Sequence, residues 1–384
     1  MKTWLLAWEF GTGLGHFRRL AAIAEALAED GDRIVVAAPE PNTVQAAFSR
    51  LVESVAAPAP SAPPMIEPAA GFLPSYGAAL RELGFADAEY LAARVRLWDE
   101  LLSRLRPDAL VADHAPFAIF AAKDRFPTVV LGAGLDLPPA DGESFPTVLQ
   151  SAAPFDESGL RHALAAAAAA TGRPGPESAP AAVRGDRRFL VGLPIFDPYL
   201  GRRPEPHLGP LGPRPALSPC PSEGRIFAYL RSDSPSFKPL TWALAEAGIP
   251  AVVHWQGPSD PGTAALLASR GAEVLTRPAD AFAELARASL VVSLGGKGLT
   301  AQALYAARPQ LIYPVHLDSE LQALGVERLG AGRRFSRLGV RQLLEMSADS
   351  LALRDGAMRA ALDLHRDFGQ DPAARVAAEI RGLA

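Results

Sequence analysis

The chain has 384 residues, long for one domain, so two domains are expected. Apolar residues make up 49% and charged residues 21%, the composition of a globular protein. The formal net charge of −4 excludes an overall basic field for nucleic acid, and a single cysteine, Cys220, excludes a disulfide framework or a cysteine zinc cage. No apolar run nears the roughly 20 residues that a membrane helix needs. The opening MKTWLLAW is too short for a signal peptide, and a soluble, cytoplasmic protein is expected.

In chain order, TWLLAWEF (3–10) reads as a buried first strand and GTGLGHF (11–17) as a loop opening a helix. Leu20, Ile23, Ala24 and Leu27 then recur at helical spacing, and Gly31 ends that helix. RIVVAAP (33–39) is the next strand. The stretch 54–70 carries five prolines and reads as a long surface loop. A helix is predicted around 79–105, a strand at 108–113, a helix around 116–124 and a strand at 128–134. This alternation predicts a parallel sheet with helices on both faces. The pattern loosens over 135–190, where an alanine-rich helix (165–170) and a turn-rich segment (171–180) are expected as mobile elements.

HLGPLGPRP (207–215) alternates Gly and Pro and reads as a linker between domains. A second α/β series follows: strand 225–231, helix 238–248, strand 250–256, helix 263–271 and strand 272–276. The expected domains are 1–206 and 217–365, joined by 207–216, with a last helix (366–384) crossing back to the first. Ala373, Ala377 and Ile380 are its apolar positions.

The most informative stretch is SLGGKGLTAQALYAARPQLIYPVHLDSELQALGVERLGAG (293–332). A short strand (290–293) leads into Gly295, Gly296 and Gly298, and a helix is expected from Thr300. Free N–H groups and the helix dipole at such an opening attract phosphate, and Lys297 adds a full charge. The chain returns through QLIYPV (310–315) to Asp318 at the carboxyl end of the next strand, the edge where parallel sheets bind ligands. A phosphate cradle beside a carboxylate suggests a phosphorylated sugar.

These residues resemble the nucleotide-binding motif of the macrolide- and glycopeptide-type glycosyltransferases, relatives of the UDP-glycosyltransferases (glycosyltransferase family 1). Gly295, Gly296 and Gly298 match its glycine loop, Pro309-Gln310 its Pro-Gln turn, Pro314 and Asp318 its Pro-x-x-x-Asp, and Gly330 with Gly332 its closing Gly-x-Gly. Four positions depart from it. Ser293 stands where that family has a phosphate-binding His, Leu299 where it has Thr (Thr300 follows at once), Ser319 where it has Gln, and Lys297 where it has a small or polar residue. The resemblance implies the GT-B architecture, two Rossmann-like domains facing across a cleft. It also implies an inverting transfer of a hexose-type sugar from a UDP or dTDP sugar to a hydroxyl of a small molecule or lipid, with weak membrane contact in the lipid case. No cofactor or metal is implied, since helix dipole and Lys or Arg neutralise the leaving pyrophosphate.

The donor residues implied are Ser293, Gly295, Gly296, Lys297, Gly298, Thr300, Asp318 and Ser319, with Thr276, Arg277 and Pro278 against base and ribose, and Gly13 in the first glycine loop. His16, in the Gly15-His16 pair after the first strand, takes the place of the general base. The chemistry needs such a base to remove an acceptor hydroxyl proton. Asp113, ending the strand DALVAD, is the orienting carboxylate; a plain helix-capping role is its alternative, and His114 competes for a role. Phe72, Tyr76 and Phe85 permit an apolar or aromatic acceptor near the loops 54–76 and 135–180. Asp30-Gly31-Asp32 fits a metal-type Asp-x-Asp but reads as a solvated turn. Three other readings stand: a catalytically silent GT-B partner, motivated by Ser293; a nucleotide-sugar epimerase; and an NAD-type dehydrogenase, whose third fingerprint glycine would fall at the bulky His16.

Overall fold

The structure is a computed structural model that describes residues 1–10, 14–29, 31–60, 73–222, 224–275, 280–335, 340–341, 344–345 and 350–384, without the side chain of Leu14. These divide into two compact units, Met1–Gly212 with Asp371–Ala384, and Pro213–Gln370.

The first unit runs β1 (Thr3–Ala7), α1 (Leu14–Leu27), β2 (Arg33–Ala38), β3 (Glu53–Ala56), α2 (Tyr76–Leu80), α3 (Ala88–Leu105), β4 (Ala109–Asp113), α4 (Pro116–Ala122), β5 (Thr128–Gly132), α5 (Ser158–Ala170) and β6 (Arg187–Leu190). Its sheet is parallel in the order β3-β2-β1-β4-β5-β6. The run Trp4-Leu5-Leu6-Ala7 is wholly buried, as a central strand covered on both faces demands. Leu6 sits beside Val36 of β2 and Val111 of β4. The strand order reverses between β1 and β4, which opens a crevice at their carboxyl ends. The segments leaving β1 and β4 therefore meet there.

The second unit runs β7 (Arg225–Arg231), α6 (Phe237–Ala247), β8 (Ala251–Gln256), α7 (Pro261–Ser269), β9 (Glu273–Val274), α8 (Ala281–Arg287), β10 (Ala288–Ser293), α9 (Lys297–Tyr305), β11 (Gln310–Ile312), α10 (Leu317–Arg328), β12 (Gly332–Arg334) and α11 (Leu351–Phe368). Its parallel order is β12-β11-β10-β7-β8-β9, reversing between β7 and β10. The last helix, α12 (Ala373–Leu383), belongs to the first unit. Its Val376, Ala377 and Ile380 share a buried cluster with Leu20, Ile23, Ala24 and Leu27 of α1.

Several sequence expectations need correction. The helix expected at 79–105 is two: Gly84, at φ 103, breaks the first, and the Asp87 side chain accepts from the Tyr90 N–H to start α3. The proline-rich loop begins as a strand, β3, because residues 53–56 pair with β2 before the prolines start. The loose stretch holds β6, an edge strand whose Arg187 and Arg188 hide its pattern. α8 and β12 were not anticipated. The single helix expected at 366–384 is broken after Phe368. Among the described residues no helix is long and apolar enough to cross a membrane.

Two glycines of the Gly-x-Gly ending have structural reasons. Gly330 has φ 66 just past α10, where a left-handed residue closes a helix. A Cβ on Gly332 would lie 2.2 Å from the Gln310 carbonyl oxygen, so only glycine lets β12 approach β11.

Candidate active site

His16 lies in the first turn of α1, at the carboxyl end of β1, and Asp113 is the last residue of β4. Because β1 and β4 pair directly, the two side chains meet: His16 Nδ1 lies 3.0 Å from Asp113 Oδ1. Asp113 is completely buried, and the His16 side chain is 19% exposed. The ring stacks near Trp8 at 5.3 Å and near His114 at 5.8 Å between centroids.

Two partners were not singled out in the sequence. Arg19, one turn further along α1, grips Asp113 with Nε on Oδ2 at 2.7 Å and Nη2 on Oδ1 at 2.8 Å. The same Nη2 lies 3.1 Å from Asp136 Oδ2 and 2.8 Å from His16 Nδ1. Burial pushes the Asp113 carboxyl up, but Arg19 and then His16 outweigh it and hold it below its ordinary value. Burial likewise pulls Arg19 down, and Asp113 and Asp136 overcome that and raise it. Arg19 was legible as the i, i+3 neighbour of His16 on one helix face. Asp136, in the loosely patterned stretch, gave no signal.

Glu9 is a third residue that the sequence reading did not single out, although a lone acid inside TWLLAWEF is a visible anomaly. Its buried carboxylate accepts from Arg94 Nη2 at 2.8 Å, Trp98 Nε1 at 2.7 Å and the Phe117 N–H at 2.8 Å. It thereby ties the segment entering the glycine loop to α3 and α4. His114 adopts φ 52, a left-handed conformation costly for a non-glycine residue, and its carbonyl accepts from the Glu9 N–H. His114, Tyr76, Asp136, Leu137 and Arg188 line a small pocket beside His16. Phe85 is a fully buried core residue packed on Phe117, so it does not face an acceptor. Phe72 and Gly13 lie outside the described residues.

In the second unit, α9 begins at Lys297, three residues before the expected start. Gly296 is its N-cap and has no side chain to cap it, and the first helical bond runs from the Thr300 N–H to the Gly296 carbonyl. The N–H groups of residues 297 to 299 therefore have no intrahelical acceptor. Space around Gly296 and Gly298 is open. Gly295 is held at φ 79, and a Cβ there would meet Ile312 and Ser319 at 2.9 Å. Ser293 is buried and its Oγ accepts from the Gly295 N–H at 3.2 Å.

Lys297 Nζ lies 3.2 Å from Asp318 Oδ1, so the two charged residues of the motif are neighbours. Two others do not offer an atom to a ligand. Thr300 is wholly buried, because the earlier helix start turns it onto the inner face. Ser319 is wholly buried too, and its Oγ accepts from the N–H of Val315 and His316 and donates to the His316 carbonyl. It closes the start of α10, whose N-cap is His316. Thr276, Arg277 and Pro278 lie outside the described residues. Asp32 is engaged in the fold, accepting from Trp4 Nε1 at 3.0 Å and the Lys2 N–H at 2.8 Å, and Asp30 is not described.

No protein-family model and no curated protein matches the chain. Solved structures do. CalG4, the calicheamicin glycosyltransferase, has a TM-score of 0.69 at 18% identity, covering 100% of this chain and 98% of its own. The glycosyltransferase VinC in complex with dTDP has a TM-score of 0.65 at 16% identity, covering 99% of both chains. The spinosyn rhamnosyltransferase SpnG, complexed with spinosyn aglycone, has a TM-score of 0.66 at 16% identity, covering 99% of this chain and 100% of its own. At these identities the likeness establishes the fold. The chain has the GT-B fold, built from two Rossmann-like units.

Proposed function

We propose that the chain is an inverting glycosyltransferase that moves a sugar from a UDP or dTDP sugar to a hydroxyl of a small-molecule or lipid acceptor. The observation that carries this reading is the 3.0 Å contact between His16 Nδ1 and the buried Asp113 carboxylate. With Nδ1 directed at Asp113, Nε2 is the atom left to take a proton. The acceptor oxygen loses its proton to Nε2 and attacks the anomeric carbon. The bond from that carbon to the phosphate oxygen breaks on the opposite face, and its electron pair leaves with the nucleoside diphosphate. The start of α9 and Lys297 neutralise that leaving group without a metal. Asp318 takes the sugar hydroxyls. VinC with dTDP and SpnG with its aglycone, proteins of the same fold, support a nucleotide donor and a small-molecule acceptor.

One observation favours the silent-partner reading. The Ser293 side chain is far shorter than an imidazole and is buried, so it does not replace a phosphate-binding imidazole. Incubating the purified chain with UDP and dTDP sugars and a panel of hydroxylated acceptors, with products read by mass spectrometry, separates the two. A glycosylated product or donor hydrolysis supports the transferase. Nucleotide binding without turnover supports the silent partner, and an isomerised free donor would indicate epimerisation.

A further inference from the structure

The Nδ1 side of His16 is crowded with charge. Asp113 reaches it from the end of β4, Arg19 from within α1 and Asp136 from the segment after β5, while His114 stacks at 5.8 Å and the uncharged Trp8 at 5.3 Å. The ligand atoms of His16, Asp113 and Asp136 lie within 4.8 Å of one another, a spacing that suits a cation. Arg19 Nη2 is within hydrogen-bond distance of all three: 2.8 Å from Asp113 Oδ1, 3.1 Å from Asp136 Oδ2 and 2.8 Å from His16 Nδ1. The cation of this cluster is thus part of the chain.

Hydrogen counting gives Arg19 a specific role. Nη2 carries two hydrogens and faces two carboxylate oxygens and one ring nitrogen. The two carboxylate oxygens outcompete a neutral ring nitrogen for them, and the 2.8 Å approach of Nη2 to Nδ1 is then a contact between two donors that the carboxylates around them hold together. His16 then keeps its own Nδ1 hydrogen, directed at Asp113 Oδ1 at 3.0 Å, and Nε2 is bare. Charge counting points the same way. Two carboxylates facing an imidazole favour its doubly protonated form, which is useless as a base. Arg19 cancels one of those charges and sets its own against the ring.

We propose that Arg19 is a positioning residue whose guanidinium, clamped by Asp113 and Asp136, keeps the His16 imidazole neutral with its proton on Nδ1. Its consequence for catalysis rests on the reading of His16 as the base. The tautomer itself does not.

The test is nitrogen-15 NMR of the histidine rings in the full chain across pH, for the wild type, Arg19→Gln and Arg19→Lys. Expected are a wild-type His16 near neutral pH with the proton on Nδ1, and an Arg19→Gln ring that takes its second proton about one pH unit or more higher. Any acidic limb in the transfer rate then moves upward by the same amount. Arg19→Lys keeps the charge but not the fork, and its His16 ring titrates between those of the wild type and Arg19→Gln. An unmoved His16 titration in a folded Arg19→Gln variant overturns the proposal. So does a wild-type ring whose neutral form carries its proton on Nε2, which decides the matter even where Arg19→Gln fails to fold. A wild type that transfers no sugar from any donor sinks the functional reading and leaves the ring measurement standing on its own.

Discussion

Lys297 Nζ and Asp318 Oδ1 stand 3.2 Å apart, linking the first residue of α9 to the first turn of α10. The pair joins the two charged residues that the sequence assigns to separate parts of the donor, pyrophosphate and sugar. Both side chains are a quarter exposed, so the pair adds little to stability, about 0.2–1 kcal/mol. Under the proposed function the pair exchanges partners: a pyrophosphate at the helix start would offer Lys297 a stronger partner and leave Asp318 to the sugar hydroxyl groups.

Lys297→Ala is therefore expected to weaken UDP or dTDP binding by about tenfold to a hundredfold, the equivalent of a charge-assisted contact worth roughly 1.5–3 kcal/mol. Calorimetry with the free nucleotides measures it. Unchanged affinity removes Lys297 from the donor site.

Asp318→Asn keeps the shape and loses the charge. Turnover of the sugar nucleotide is expected to fall more than affinity for the free nucleotide. Equal losses in both, measured on the same preparation, would assign Asp318 to the fold.

The glycines of the loop separate structure from binding. Gly295→Ala strains a positive φ and drives a Cβ into Ile312 and Ser319, so a loss of about 1–3 kcal/mol and a lower melting temperature are expected. A Cβ on Gly298 meets nothing, and alanine is the better helix residue by about 1 kcal/mol. Gly298→Ala is thus expected to melt no lower than the wild type while losing nucleotide affinity. A Gly298→Ala protein that binds as before would mean that the backbone there carries no phosphate.

The buried charges make opposite contributions to pH dependence. The Asp113 carboxyl is held below its ordinary value of 3.8, so the stability it adds is complete above that value and is lost as pH falls through the depressed one. Burial raises Glu9 above its ordinary 4.5 despite Arg94, so its contribution is complete at lower pH and is lost as pH rises through the raised value. Denaturant unfolding of Asp113→Asn is expected to show its largest deficit above about pH 4, shrinking in more acid solution. A deficit independent of pH would contradict the pairing of Asp113 with Arg19.

Much of the fold was legible because its central strands are unbroken apolar runs and its glycine turns sit at strand ends. LVVS and TWLLA announce themselves in this way. The edges were not: β3, β6 and β12 are three or four residues long, charged or interrupted, and are held by pairing with a neighbour. The start of α9 was not legible because an uncapped Gly296 followed by Lys and Gly carries no ordinary capping signal, and the burial of Thr300 was hidden with it. His16 and Asp113 were legible as residues at the ends of two strands. Their contact was not, since 97 positions separate them and only the pairing of β1 with β4 brings them together.

The proposed function rests most heavily on His16 as the base. Its most direct test is the transfer rate of His16→Ala across pH, measured with the best donor and acceptor found and paired with nucleotide calorimetry. The expected result is a fall of about 10²–10⁴-fold, loss of the acidic limb, and nucleotide affinity equal to the wild type, since His16 belongs to the first unit and the donor loop to the second. A His16→Ala protein that transfers sugar at the wild-type rate would contradict the account and pass the role of base to His114.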